Sequence, residues 1–170
     1  MSHALPPAGQ AGQAGQADRA GPAVTLAPVL PSEAAALALL RVEAMRDSLQ
    51  RIGRFDPERA RQRFLSSFAA EHSRHIVADG QRVGFLVLRP YQGELLLDHL
   101  YVRPGRQGRG IGAAVLQQVF AQADAAALPL RVGALKDSDS NRFYLRHGFV
   151  LVERSEWDNH YLRTPGTAWR

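Results

Sequence analysis

The sequence predicts an α+β fold in three layers: a central mixed, mostly antiparallel sheet of six or seven strands with helices on both faces. Three observations predict it. The apolar periodicities run in the order β-α-α-β-β-β-α-β-α-β-β. The early strands are joined by turn dipeptides, Asp79-Gly80 and Gln92-Gly93, of which Asp-Gly is a strong hairpin signal. The later strands are separated by helical stretches, which serve as crossovers.

In chain order, residues 1–22 carry Gly-Gln-Ala three times (Gly9 to Ala17) with Pro6, Pro7 and Pro22. Lacking large apolar side chains, they cannot offset their ordering entropy and read as a disordered low-complexity tail. The folded domain is expected over 23–165. Val24–Ala27 is a short strand. Ser32, followed by Glu33, starts a helix that carries Leu37, Leu40 and Met45 to about Leu49. Asp56 as N-cap and Pro57 at the first helical position open a second helix, with Phe64, Leu65 and Phe68 on its apolar face. Strands are read over His75–Ala78, Val83–Leu88 and Glu94–Val102, and Pro104 stops the last of them. A helix follows from Gly110 to about Ala123, a strand over Leu130–Leu135, and a short helix over Ser138–Arg146 that ends at His147-Gly148. Phe149–Val152 and Asp158–Leu162 close the domain as antiparallel strands.

Composition narrows the function classes. Apolar residues at 45% and charged residues at 22% suit a soluble globular protein of one domain. No run is long and apolar enough to span a bilayer, and no secretory signal is visible, so a cytoplasmic protein without a membrane partner is expected. The absence of Cys excludes disulfides, a thiol nucleophile and thiolate metal sites, and no metal site is expected. The net charge of +5 is spread along the chain rather than blocked. It supports a local anion site, and no nucleic-acid-recognition element accompanies it.

The most specific local feature is Arg106-Gln107-Gly108-Arg109-Gly110-Ile111-Gly112-Ala113, placed between a strand and a helix. Glycine removes Cβ where backbone must approach a ligand. Successive N–H groups there form an anion nest, reinforced by the positive end of the following helix, and Arg106 and Arg109 add charge. This is pyrophosphate-binding chemistry. Gly108-x-Gly110-x-x-Ala113 also fits a dinucleotide fingerprint, with Asp137 where a ribose-binding acid would sit. Against that reading, the loop follows several hairpin-joined strands, and only about 58 residues remain after Gly112.

Gln107-Gly108-Arg109-Gly110-Ile111-Gly112 resembles the central signature of the GCN5-related N-acetyltransferase (GNAT) superfamily. The stretch Asn141-Arg142-Phe143-Tyr144 followed by Gly148-Phe149 resembles the next signature, in the right order and spacing. The resemblance covers about Val24 to Leu162. It implies acetyl-CoA as cosubstrate and a primary amine as acceptor, with attack inside a ternary complex. By that resemblance Gln107 and the amides of Gly108, Arg109, Gly110, Ile111, Gly112 and Ala113 hold the CoA pyrophosphate. The backbone of Leu100, Tyr101 and Val102 pairs with the pantetheine arm, Asn141 binds that arm, and Tyr144 protonates the departing thiolate. Asp98, four residues before Val102, stands where some relatives carry a glutamate base, and His99 is expected on the opposite face of the strand. Arg46, Arg54 and Phe55 are candidate acceptor contacts, between walls built by residues 46–56 and 153–157. Two other readings stand beside transfer: a silent CoA-binding regulatory module and a dinucleotide-binding protein. Relatives that pair as dimers suggest a homodimer by analogy.

Overall fold

The computed structural model describes residues 21–168, so the expected tail lies outside the described residues except for Gly21 and Pro22. The elements are β1 (Val24–Pro28), α1 (Ala34–Arg51), α2 (Pro57–Ser67), β2 (Ser73–Ala78), β3 (Gln81–Tyr91), β4 (Glu94–Val102), α3 (Ile111–Ala125), β5 (Leu130–Leu135), α4 (Ser140–Arg146), β6 (Val150–Arg154) and β7 (Asp158–Arg163). The order is the one read from the sequence. All seven strands form one sheet, β1-β2-β3-β4-β5-β7-β6. Only β4 and β5 run parallel, and every other pair is antiparallel.

Alternation along β3 divides the core between the two faces. Phe85 and Val87 pack with Leu37, Leu40 and Phe64 beneath α1 and α2. Leu86, with Leu97, Leu130 and Val132, packs against Val115, Leu116 and Val119 of α3, and Tyr144 and Phe149 join that cluster. The second helix starts as its residues dictate: Asp56 Oδ1 accepts from the Arg59 N–H at 3.0 Å, and Pro57 follows.

Among the boundaries that differ from expectation, three have a clear physical cause. Ser32 is not the cap of α1. A 3-10 turn over Pro31–Glu33 precedes the helix, and Glu33 reaches back to accept from the Leu30 N–H at 2.9 Å. The same carboxylate holds the buried His75 and also Arg82, and these contacts hold it down at about 2, His75 contributing most. β3 continues through Pro90 to Tyr91, because its last residues pair only with β4 and Pro90 need not donate to β2. α4 starts at Ser140, two residues late; Ser138 instead turns its Oγ back to the Leu135 carbonyl at 2.8 Å.

At the chain's end, buried Arg163 donates to both carboxylate oxygens of Asp124 at 2.8 and 3.1 Å and lies over the Phe120 ring. The Arg163 hydrogen bond, helped by the Gly166 N–H, holds Asp124 down at about 2. A carboxyl depressed in the folded state stabilises above its unfolded pKa, near 3.9, and loses that contribution as pH falls toward 2. Asp124→Asn is therefore expected to lower the melting temperature near pH 6. The gap to the unsubstituted protein should close as pH drops from about 4 to 2, read by thermal denaturation at each pH. A gap independent of pH would show that charge is not the cause.

Candidate functional site

The site grows from one defect in the sheet. β4 and β5 pair only from Leu95 to Leu97 against Leu130 to Val132. Beyond these residues the two parallel strands separate, and a cleft of about 160 Å³ opens between them. Its walls include Leu100, Tyr101 and Val102 of β4, Gly133 to Leu135 of β5, Met45 and Ser48 of α1, Gln107 and Tyr144. A larger hollow of about 390 Å³ between β1 and α3 shares no residue with it.

The splay leaves one edge of β4 unpaired. Within a strand, N–H and C=O of one residue point to the same side, and successive residues alternate. The Val102 carbonyl accepts from Gln107 Nε2 at 2.9 Å, so it faces the gap. Leu100 faces the gap with it. Tyr101 turns its carbonyl toward β3, where it lies 2.1 Å from the point a Cβ on Gly84 would occupy. Of the three residues expected to pair with a cofactor arm, Leu100 and Val102 present main-chain atoms to the cleft and Tyr101 does not. The Gln107 side chain is engaged by the last residue of β4.

At the mouth of the cleft stands the glycine loop. Gly108 and Gly110 have positive φ, 74° and 78°, and Gly110 caps α3 in the left-handed region. The first helical bond of α3 is Ala114 N–H to Gly110 C=O, 3.0 Å. The amides of Ile111, Gly112 and Ala113 therefore precede it unpaired, and those of Gly108, Arg109 and Gly110 meet no acceptor among the described residues. A Cβ on Gly108 would touch nothing within 4 Å, so that side of the loop is open. Gly112 differs: its missing Cβ makes room for Phe143, whose ring would be 3.1 Å away, so it packs α3 on α4. Arg106 is drawn back to Gln81 and Asp79 of the β2–β3 turn, and Arg109 stays exposed.

Tyr144 closes the far end. Its ring is buried against Phe143, Phe149 and Tyr161. Burial pushes its phenol up, so it keeps its proton across the physiological range. Its hydroxyl has no hydrogen-bond partner among the described residues, and the residue lines the cleft. Asn141, three residues earlier, is saturated within the protein. Its Nδ2 donates to the carbonyls of Leu135 and Ser138 at 2.8 and 2.9 Å, and its Oδ1 accepts from Asn159 and the Tyr161 hydroxyl at 2.9 and 2.7 Å. An amide offers two hydrogens and two lone pairs, so this side chain has none left for a cofactor. It ties α4 to β5 and β7, which fixes where Tyr144 stands.

A bulge shapes the other wall. The β3–β4 register shifts between Val87↔His99 and Leu88↔Leu97, leaving Asp98 as the extra residue. The expectation that His99 points away from Asp98 fails for this reason: the bulge cancels one alternation, and both side chains fall on the α1–α2 face. Asp98 accepts from Arg89 Nε at 2.9 Å. His99 sits among the rings of Phe64, Phe85 and Tyr101. Burial pushes it down to about 4 against the opposing pull of Asp98, so it is neutral at physiological pH. Arg46 lies over Phe55, and Arg54 stacks on Trp157 at 3.9 Å, which ties the α1–α2 connection to the β6–β7 connection.

Among the described residues no helix is long and apolar enough to cross a membrane, and no cluster of side chains could hold a metal ion. Residues 71–151 match the family model described as Acetyltransferase (GNAT) domain. No curated protein matches the chain in sequence. Solved structures share its fold. The PaiA N-acetyltransferase from Thermoplasma acidophilum in complex with coenzyme A is 14% identical, covers 84% of this chain and 99% of its own, and has a TM-score of 0.69. A GCN5-related N-acetyltransferase from Rhodopseudomonas palustris is 23% identical over 85% of this chain and 96% of its own, TM-score 0.65. The ribosomal-protein-S18-alanine N-acetyltransferase from Escherichia coli is 14% identical over 86% and 96%, TM-score 0.64. The family match covers the centre of the chain, and the sheet built around it is the one these acetyltransferase structures share.

Proposed function

We propose that the protein transfers an acetyl group from acetyl-CoA to a primary amine, by direct attack while both substrates are bound. The observation that carries this reading is the gap between β4 and β5, which runs from Gln107, next to the unpaired loop amides, past a free strand edge to Tyr144. A diphosphate suits the amides of Gly108 to Ala113, with the exposed Arg109 beside them. A pantetheine arm, itself an amide chain, adds to the Leu100–Val102 edge as a short strand. The Leu100 N–H then points at a thioester carbonyl and stabilises the oxygen that becomes anionic during attack. Tyr144 donates its proton to the sulfur as the C–S bond breaks. The amine enters from the α1 side, where Met45 and Ser48 line the cleft and Arg46, Arg54 and Phe55 stand farther out. Holding both reactants there converts an encounter into a positioned reaction.

The test is a melting curve with and without acetyl-CoA, with NADH as control. A ligand of the native state at a hundredfold excess over its Kd stabilises by about 2.7 kcal/mol, which is a rise of about 5–10 °C for a chain of this size. A shift with NADH and none with acetyl-CoA would overturn the reading. Release of free thiol over a panel of amines then separates an enzyme from a CoA-binding module, which would shift in the melt and release nothing.

A further inference from the structure

We propose that His160 takes the proton from the acceptor amine, an assignment that rests on the transferase reading above. An ammonium must lose a proton before nitrogen can attack. Asp98 is engaged by the Arg89 guanidinium. His99 is enclosed by three rings and binds a proton only in acid. His160 differs from both. Its cross-strand partner on β5 is Gly133, the first residue beyond the last β4–β5 pair and a lining residue of the cleft. Because Gly133 has no side chain, the imidazole leans over it. Nδ1 and Cε1 lie 3.5 and 3.7 Å from where a Cβ would be. The ring is partly exposed and makes no hydrogen bond among the described residues, so a lone pair is free for an incoming proton.

The two faces of the sheet support the same assignment. Tyr161 is buried beside the Tyr144 ring. Successive residues of a strand point to opposite faces, so His160 stands on the α1–α2 side of the gap and Tyr144 on the other. His160 is not itself a lining residue; it reaches toward the cleft over Gly133, on the face opposite Tyr144. Charged groups on the face of His160 include Glu153, directly across on β6, Asp158 two residues before it on β7, Arg131 of β5, which Glu94 holds at 2.6 Å, and Asp98, which Arg89 holds at 2.9 Å. The proton count closes. R–NH3+ gives one proton to His160, which passes it to solvent. The free amine attacks the carbonyl carbon, a C–N bond forms, and the adduct nitrogen loses its second proton. The C–S bond breaks with its electron pair on sulfur, and sulfur takes a proton from Tyr144, which regains one from the medium. The sum is amide, free thiol and one proton released.

The experiment is thiol release against pH for the unsubstituted protein, His160→Gln and Asp98→Asn. It uses the most active amine of a panel of free amino acids, spermidine, kanamycin and a short peptide. His160→Gln is expected to lower kcat/KM about 100-fold, with the acetyl-CoA melting shift unchanged. The loss should shrink as pH approaches the amine's own pKa, where no base is needed. Should the glutamine variant melt early, His160→Ala with added imidazole decides, and part of the rate should return. Equal rates for His160→Gln and the unsubstituted protein at every pH overturn this assignment and leave the transferase reading intact. So does a larger loss in Asp98→Asn. Binding of acetyl-CoA without turnover on any amine overturns it too, and a protein that does not bind acetyl-CoA removes both readings.

Discussion

Replacing Tyr144 by phenylalanine is expected to lower kcat about a hundredfold while leaving acetyl-CoA affinity and the melting temperature nearly unchanged. The reasons separate cleanly because the two ends of the side chain do different things. The ring packs against Phe143, Phe149 and Tyr161 in the α3-side core, and phenylalanine keeps all of that. The hydroxyl makes no hydrogen bond within the protein among the described residues, so its loss removes no internal contact. What is lost is a proton held ready at the cleft. Burial raises the Tyr144 phenol, so the unsubstituted protein keeps this donor protonated through neutral and mildly alkaline pH. A departing thiolate needs that proton most below its own pKa, about 8.5 by analogy with a free thiol. The variant's deficit should therefore be largest near pH 7 and shrink above about pH 9. Steady-state thiol release across that range, with melts in acetyl-CoA as the binding check, reads both parts. An unchanged rate at pH 7 would take Tyr144 out of the chemistry.

How far the sequence disclosed this site depends on what each residue contacts. Element order was legible because apolar periodicity and turn residues are local signals, as at Asp56-Pro57 and Asp79-Gly80. The loop glycines were legible at Gly108 and Gly110, where positive φ demands glycine. Gly112 looks identical in sequence, yet its partner is Phe143, some thirty residues away, and only tertiary packing tells the two uses apart. Asn141 was singled out by the family resemblance of the stretch it opens, while its four hydrogen bonds to β5, the β5–α4 connection and β7 make it a brace for the short helix. The bulge at Asp98 was not legible, because an unpaired residue leaves no mark on a strand whose alternation is broken only by its neighbour. His160 was missed because its signal is a glycine on another strand. Arg163 was missed for a similar reason: its partner Asp124 lies in a different element.

The largest structural effect is expected from Gly84→Ala. Gly84 is buried in β3, opposite Val102 of β4. An alanine Cβ there would lie 2.1 Å from the Tyr101 carbonyl oxygen, 3.0 Å from the Val102 Cα and 3.1 Å from the Tyr101 carbonyl carbon. All three are main-chain atoms, so no side-chain rotation relieves the overlap, and β3 and β4 must move apart. Overpacking of this kind costs about 3 kcal/mol or more when the neighbour is rigid. That is a fall of roughly 10 °C in melting temperature for a chain of this size. The displacement falls on the strand whose far edge meets the cleft, since Leu100 and Val102 face the gap while Tyr101 faces Gly84. Acetyl-CoA affinity should drop along with stability, by about tenfold if the edge loses the equivalent of one net main-chain hydrogen bond. Gly105→Ala is the control, because a Cβ there meets nothing within 4 Å. It should leave the melt unchanged and show that the loop tolerates a methyl group where the strand does not. Thermal melts of the two variants with and without acetyl-CoA decide the matter. A Gly84→Ala protein that melts within a degree or two of the unsubstituted one would mean that β3 and β4 do not approach this closely, and the exposed edge of β4 would then need another support.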